Sequence, residues 1–340
     1  MKWVLILLLC AVLYIIWRTS LSPQESYSED YSDGVPTVHF PFKNLFDENG
    51  KKLNVILLAA PFREKEHEKK YEEYKSRGMA FCGISSYLTF PKKITNPYDN
   101  FYHVERKHKY QEMASAWLHC FREVPKEIQH LPSLLLSEAD LKNVNDYKPD
   151  PSIKKEYDLM YLSLSDNNDC RKGWNWVCRN FDLALKCFDK MGARDLKILV
   201  VGRESCTFPH PGQITRKNFL PFHEFAKELK KCRALFLPNV LDAFPRVLAE
   251  ALCYDIPVLV NYEIVGGWSS VVPGVTGEFF RTEEDVLPAL DKVLSGKYTP
   301  RKWYVEHRGL HNSGKELAKF LVKNFPNLNR KEVQCASITI

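Results

Sequence analysis

The sequence predicts an α/β protein built on parallel sheets, in two successive units behind an apolar N-terminal helix. Three observations carry that expectation. Apolar runs of strand length are stopped by Pro or Gly, amphipathic helical stretches separate them, and the alternation starts afresh after the proline-bearing segment at residues 145–153.

In chain order, Trp3 to Trp17 is an unbroken apolar run, WVLILLLCAVLYIIW, bracketed by Lys2 and Arg18. Fifteen helical residues rise about 22 Å, enough for a thin endomembrane with some tilt. No small-residue cleavage pattern follows, so residues 1–19 are expected to be an uncleaved transmembrane signal anchor and residues 20–35 a polar, acidic stem. The flanking charges favour a body facing the ER or Golgi lumen over one facing the cytosol. The lack of any Asn-x-Ser/Thr acceptor site weighs against the lumen.

Residues 36–150 form the expected first unit. LNVILLAA (Leu53 to Ala60) is a buried strand ended by Pro61, and the charged run from Glu64 to Lys75 is a solvated helix. Met79 to Phe90 is a second apolar stretch. In YQEMASAWLHCFREV the four-residue spacing of Met113, Trp117 and Phe121 predicts a helix, and SLLLSEADL predicts a strand. Residues 151–330 form the expected second unit. There YDLMYLSLS, LKILVVG, ALFLP and IPVLV are strands. A long helix carries Trp174, Val177, Phe181, Leu185 and Phe188 on one stripe, and further helices surround PFHEFAKELKK and the segment after Pro245.

Composition limits the function. With 45% apolar and 26% charged residues the chain can fill two cores, which excludes disorder for most of it. The net charge of +6 is spread over lysines interleaved with glutamates, which argues against a nucleic-acid partner. Ten cysteines stand without the regular spacing of a disulfide framework and without a CxxC pair. HExxH, Walker A, GxGxxG and DxD motifs are absent, and Gly83-Ile84-Ser85-Ser86-Tyr87 fails the serine-hydrolase elbow at its last position.

The most informative segment is DAFPRVLAEALCYDIPVLV, Asp242 to Val260. Pro245 lacks an amide hydrogen and is comfortable only in the first turn, so the helix starts there. Its unpaired amides then lie at the carboxyl edge of a parallel sheet, directly after the strand ALFLP, where such sheets bind ligands and where phosphate is favoured. Eight helical residues span about 12 Å, which separates Asp242 from Glu250 along the ligand. Each carboxylate can accept two hydroxyl hydrogen bonds, as a vicinal diol requires. The plain structural alternative has Asp242 capping the helix and Glu250 pairing with Arg246.

This segment resembles the acid-x7-acid signature of the retaining glycosyltransferases of the family 4 (group 1) type, whose GT-B fold has two facing Rossmann-like domains. Asp242 matches the first acid, Phe244-Pro245 the turn, Glu250-Ala251 the EA pair and Pro257-Val258 the PV pair. It departs in having Asp for Glu, Pro245 for glycine and Asp255 for the helix-ending glycine. Val265 to Phe280 is similar to the family's Gly-Gly loop and following strand, through Gly266 and Gly267. Lys172-Gly173 resembles its diphosphate-binding KG. The family's preceding arginine is replaced by Leu162-Ser163-Leu164, with Arg171 as substitute. The match covers residues 157–280; over the first half it rests on element order alone.

The resemblance implies an enzyme moving a hexose-type sugar from a nucleotide sugar to a glycan, lipid or protein acceptor, with no metal and no cofactor. Glu250 would take ribose, Asp242 the transferred sugar and Lys172 the departing diphosphate. Gly202, Arg203, Arg246, Gly266 and Gly267 are further donor-side candidates, and His119 is the histidine expected against the donor sugar. The rival readings are a non-catalytic, membrane-tethered module that binds nucleotide or glycan, and a nucleotide-sugar epimerase on the same fold.

Overall fold

The computed structural model describes residues 34–92, 96–98, 108–330 and 332–338, in two compact units, Met1–Thr37 and Val38–Ile340. In the first unit, residues 34–37 carry no regular helix or strand. The expected anchor and nearly all of the expected stem lie outside the described residues. Among the described residues no helix is long and apolar enough to cross a membrane.

The second unit contains two six-stranded sheets. The first takes the order β12-β1-β2-β3-β4-β5, from β1 (Phe42–Phe46), β2 (Lys52–Leu58), β3 (Ala80–Ile84), β4 (Ala116–His119), β5 (Ser133–Leu135) and β12 (Ser337–Ile338). Strands β2 to β5 run parallel, while β1 is antiparallel to both its neighbours. The second sheet is wholly parallel, in the order β11-β10-β9-β6-β7-β8. It comprises β6 (Tyr157–Leu162), β7 (Ile198–Val201), β8 (Ile214–Lys217), β9 (Cys232–Leu237), β10 (Val258–Asn261) and β11 (Gly277–Phe280). The chain builds outward from β6 through β7 and β8, then returns to β6's other side with β9. Connections leaving β6 and β9 therefore diverge, which opens a crevice at their carboxyl ends.

Parallel sheets must be covered on both faces, and alternate residues of each strand supply the two cores. In β6, Met160 enters a core with α4 (Phe222–Lys230) and α5 (Arg246–Cys253) through Phe225, Leu229, Leu248 and Leu252. Leu159 and Tyr161 enter the opposite core with α3 (Phe181–Met191) and α6 (Val286–Ser295). In the first sheet, Ile56, Leu58, Phe81 and Trp117 face α1 (Lys65–Ser76) through Tyr71 and Tyr74. The other face meets α8 (Gly309–Asn324), which follows α7 (Pro300–His307), through Leu317, Ala318 and Leu321.

Three sequence expectations are corrected. The helix expected across residues 110–124 is a short 3₁₀ turn, Tyr110–Glu112, followed by strand β4. All four residues of β4 are buried, and Trp117 Nε1 donates to Ser85 Oγ at 3.0 Å. A strand buried on both faces has no period of two to betray it, and the i, i+4 spacing there is incidental. The single long helix after β6 is broken into α2 (Trp174–Cys178) and α3 by Asn180, whose φ of 48° is left-handed. Helix α8, placed in the second unit (residues 151–330) from sequence, packs on the first sheet, which β12 then joins.

Fully buried Leu321 and exposed Val322 are adjacent on α8. Leu321→Ala is expected to destabilise the protein by roughly 3 kcal/mol and Val322→Ala by under about 0.5 kcal/mol in urea denaturation. Equal effects would contradict the packing of α8 on the first sheet.

Candidate functional site

Strand β9 ends at Leu237, and the loop from Pro238 to Phe244 leads into α5, with Pro245 at its N-cap. No side chain caps this end and no acid lies in its first turn, so the leading amides and the positive end of the helix dipole are available to an anion. The loop is gripped from two sides. Val240 and Leu241 donate to the Cys178 carbonyl at 3.0 and 3.2 Å, while Val265 and Gly266 donate to the Val240 and Asp242 carbonyls at 3.0 and 2.8 Å. A methyl group on Gly266 would lie 1.8 Å from the Ala243 carbonyl oxygen. Gly267 has φ +76° and sits against Pro245. The two glycines thus permit backbone approach to the acid-bearing loop, which is a different task from the ligand approach expected of them.

A cavity of about 600 Å³ opens between the carboxyl ends of β6, β7 and β9 and the amino end of α5. Its polar wall contains Ser163, Arg179, Asn239, Asp242, Arg246 and Glu250. Its remaining wall is apolar and reaches an aromatic edge at Phe219 and Phe222, both largely exposed.

Both acids carry cationic partners. Arg179 Nη1 donates to Asp242 Oδ2, and Asn239 Nδ2 donates to the same oxygen at 2.9 Å. Burial pulls the Arg179 guanidinium below its usual pKa, yet an arginine stays charged. Lys142 Nζ donates to Glu250 Oε1 at 3.0 Å and to the Tyr147 hydroxyl at 3.0 Å. Burial alone would lower the Lys142 pKa. The charge and hydrogen bond of Glu250, with Tyr147, outweigh it and leave the pKa raised. Asp242 therefore does not cap α5, and Glu250 does not pair with Arg246, whose guanidinium lies 5.3 Å from the Phe244 ring centroid.

Asp242, Glu250, Phe244, Pro245 and Arg246 are brought together on the cavity wall. The other sequence candidates do not line it. Lys172 is exposed and paired to Asp182 at 2.9 Å, and Arg171 is exposed and paired to Asp169 at 2.8 Å. The Cys170–Cys206 disulfide ties their loop to the one after β7; such a bridge was not expected from the cysteine spacing. Gly202 has φ +86° and makes the turn after β7, where a methyl group would meet the Ser163 carbonyl oxygen at 2.2 Å. Arg203 is 1% exposed, donating to Ser163 Oγ and Asp166 Oδ2 at 3.1 Å each, so it holds Ser163 from behind. His119 is buried on β4, its Nδ1 has no hydrogen-bond partner among the described residues, and burial lowers its pKa. The residues after it, Cys120 and Phe121, pack on Ala243.

Arg179, Lys142, Asn239, Phe219 and Phe222 went unnoticed in the sequence, and Ser163 was named only as standing in the place of the family's arginine. Asn180 is the residue type that makes the required left-handed step, but Arg179 itself closes α2, where a cation is ordinary, so its charge gave no signal. Among the described residues no group of three or more His, Cys, Asp or Glu side chains is placed to hold a metal ion.

No family model matches the chain. A lipopolysaccharide 1,6-galactosyltransferase of Salmonella typhimurium is 29% identical over 79 residues, 23% of this chain and 22% of that protein. The chain thus matches under a quarter of that relative's length. Among solved structures, the Anabaena protein HepE in complex with UDP and glucose aligns with a TM-score of 0.56 at 11% identity, covering 79% of this chain and 78% of that one. Sucrose-phosphate synthase from Thermosynechococcus elongatus aligns with a TM-score of 0.54 at 12% identity, covering 75% and 71%. These likenesses show the fold, which is the α/β GT-B type with two sheets.

Arg179 and the amino end of α5 line the cavity, whereas Lys172 stands outside it. Pyrophosphate affinity, measured by calorimetry, is expected to fall about 10- to 100-fold in Arg179→Ala and less than about twofold in Lys172→Ala. The reverse order would remove Arg179 from the anion site.

Proposed function

We propose that this chain is a retaining glycosyltransferase, moving a hexose-type sugar from a nucleoside-diphosphate sugar to a glycan, lipid or protein acceptor without a metal ion or cofactor. One observation carries the reading: an uncapped helix end, two arginines and two carboxylates line one cavity, at the switch point of a parallel sheet. Cationic and amide donors suit a diphosphate, and an acid on each side suits the hydroxyls of a ribose and of a second sugar. The shared fold, and the partial likeness to a galactosyltransferase, support the same chemistry.

In this reading Glu250 holds the ribose and Asp242 the transferred sugar. The bond between the anomeric carbon and the diphosphate oxygen breaks, and the charge left on the diphosphate is stabilised by the α5 amides, Arg179 and Arg246. The acceptor hydroxyl attacks from the face that the diphosphate leaves and gives its proton to the departing diphosphate oxygen, so no enzymatic nucleophile is needed. The aromatic edge at Phe219 and Phe222 is open to the flat face of a base. The Cys170–Cys206 bridge favours an oxidising compartment, in keeping with the luminal anchor read from residues 1–19.

A second reading, a binding module without catalysis, draws on one observation. Both acids are already neutralised within the chain, by Arg179 and Lys142. The two readings separate by hydrolysis of a panel of UDP-, GDP- and ADP-sugars with EDTA present. The enzyme reading expects slow turnover of at least one donor, reduced on the order of 100-fold in Glu250→Ala. Nucleotide binding with no turnover of any donor selects the module.

A further inference from the structure

We propose that Lys142 is the positioning residue of the donor site, holding the Glu250 carboxylate turned so that one of its oxygens is left for the ribose hydroxyls. The inference rests on the reading of Glu250 as the ribose-binding acid. Its observations are geometric. Lys142 comes from the segment that crosses from the first sheet to the second, 108 residues before its partner, and the pair is almost sealed, with side chains 8% and 9% exposed. Only Oε1 of Glu250 is engaged; Oε2 has no protein partner among the described residues, and Glu250 lines the cavity.

The lysine is itself immobilised. Its Nζ is shared with the Tyr147 hydroxyl, and its carbonyl accepts from the Leu310 amide at 2.9 Å. The following residues are clamped by Arg301, which donates to the Val144 and Tyr147 carbonyls at 3.1 and 2.5 Å. Tyr304 fixes the preceding Ala139 carbonyl at 2.6 Å. So much bracing of one cation against one acid exceeds what helix packing needs, because a buried ion pair is at best neutral for stability compared with apolar residues of like volume. A rigidly held acceptor in a ligand cavity is what the pair provides.

The charged and titratable groups around Glu250 are few. Lys142 and Tyr147 face it from the crossing segment, Arg246, Cys253 and Tyr254 lie along or just beyond α5, Arg301 stands on α7, and Arg179 with Asp242 shares the cavity. Removing Lys142 leaves a buried carboxylate without its nearest cation, and burial without a counter-charge disfavours the charged form of any acid.

The test is UDP affinity by calorimetry between pH 5.5 and 8 for the full chain, with thermal unfolding as the control for folding. Each variant is read as its ratio to wild type at the same pH, because the terminal phosphate of UDP itself loses its second proton near about 6. In Lys142→Met that ratio is expected to fall roughly 30-fold at the acid end and to recover as pH rises. Lys142→Arg should restore the wild-type profile. A folded Lys142→Met variant with wild-type affinity and profile overturns the proposal, as does a loss that is uniform in pH and not rescued by arginine. Should Lys142→Met fail to fold, Tyr147→Phe decides: a smaller shift in the same direction supports the role, and an unchanged profile overturns it. A wild-type chain that binds neither UDP nor any UDP-sugar removes the ribose reading and this role with it, whereas wild-type binding that Lys142→Met leaves untouched removes only the role of Lys142.

Discussion

A carboxylate taken out of water must be given a cation or a proton, and that requirement organises this molecule around its cavity. Glu250 is answered by Lys142 and Asp242 by Arg179, two residues distant in sequence and carried by different connections. Each pairing obliges a backbone segment to stay where it is. The crossing at residues 139–147 is pinned by Arg301 and Tyr304, and the approach to α3 turns through a left-handed Asn180 to deliver Arg179.

The sheet supplies the place. Because strand order reverses at β6, the loops leaving β6 and β9 part from each other, and the amino end of α5 points into the gap without a cap of its own. The Gly266-Gly267 step then lets a neighbouring loop lie directly on the Ala243 backbone and the Pro245 ring, behind Asp242. Arg203, buried beneath Ser163, does the equivalent on the opposite wall. Residues that looked like ligand contacts in the sequence are thus often the residues that shape the wall.

The second sheet and its acid-bearing helix were legible because their signals are local. Pro245 marks the start of α5 to within one residue, and the spacing of Asp242 and Glu250 puts both on one wall whichever partners they find. The first sheet was harder to read. β4 is a four-residue strand apolar on both faces, so its sequence carries no period, and a neighbouring coincidence at i, i+4 suggested a helix. The run from Trp174 to Phe188 was misread for the complementary reason: its apolar stripe continues through the break at Asn180, so two helices read as one.

By itself the sequence determined the α/β class, the order of most strands, the start of α5 and the two acids, all of which follow from steric and hydrophobic rules acting within a few residues. The tertiary structure alone decided which cations meet those acids, which glycines face the loop and not a ligand, and that the chain's last helix rejoins the first sheet. Ion pairing between Lys142 and Glu250 spans 108 residues, and no local pattern encodes it. It exists only once two sheets and a crossing have brought a buried charge within reach of its opposite.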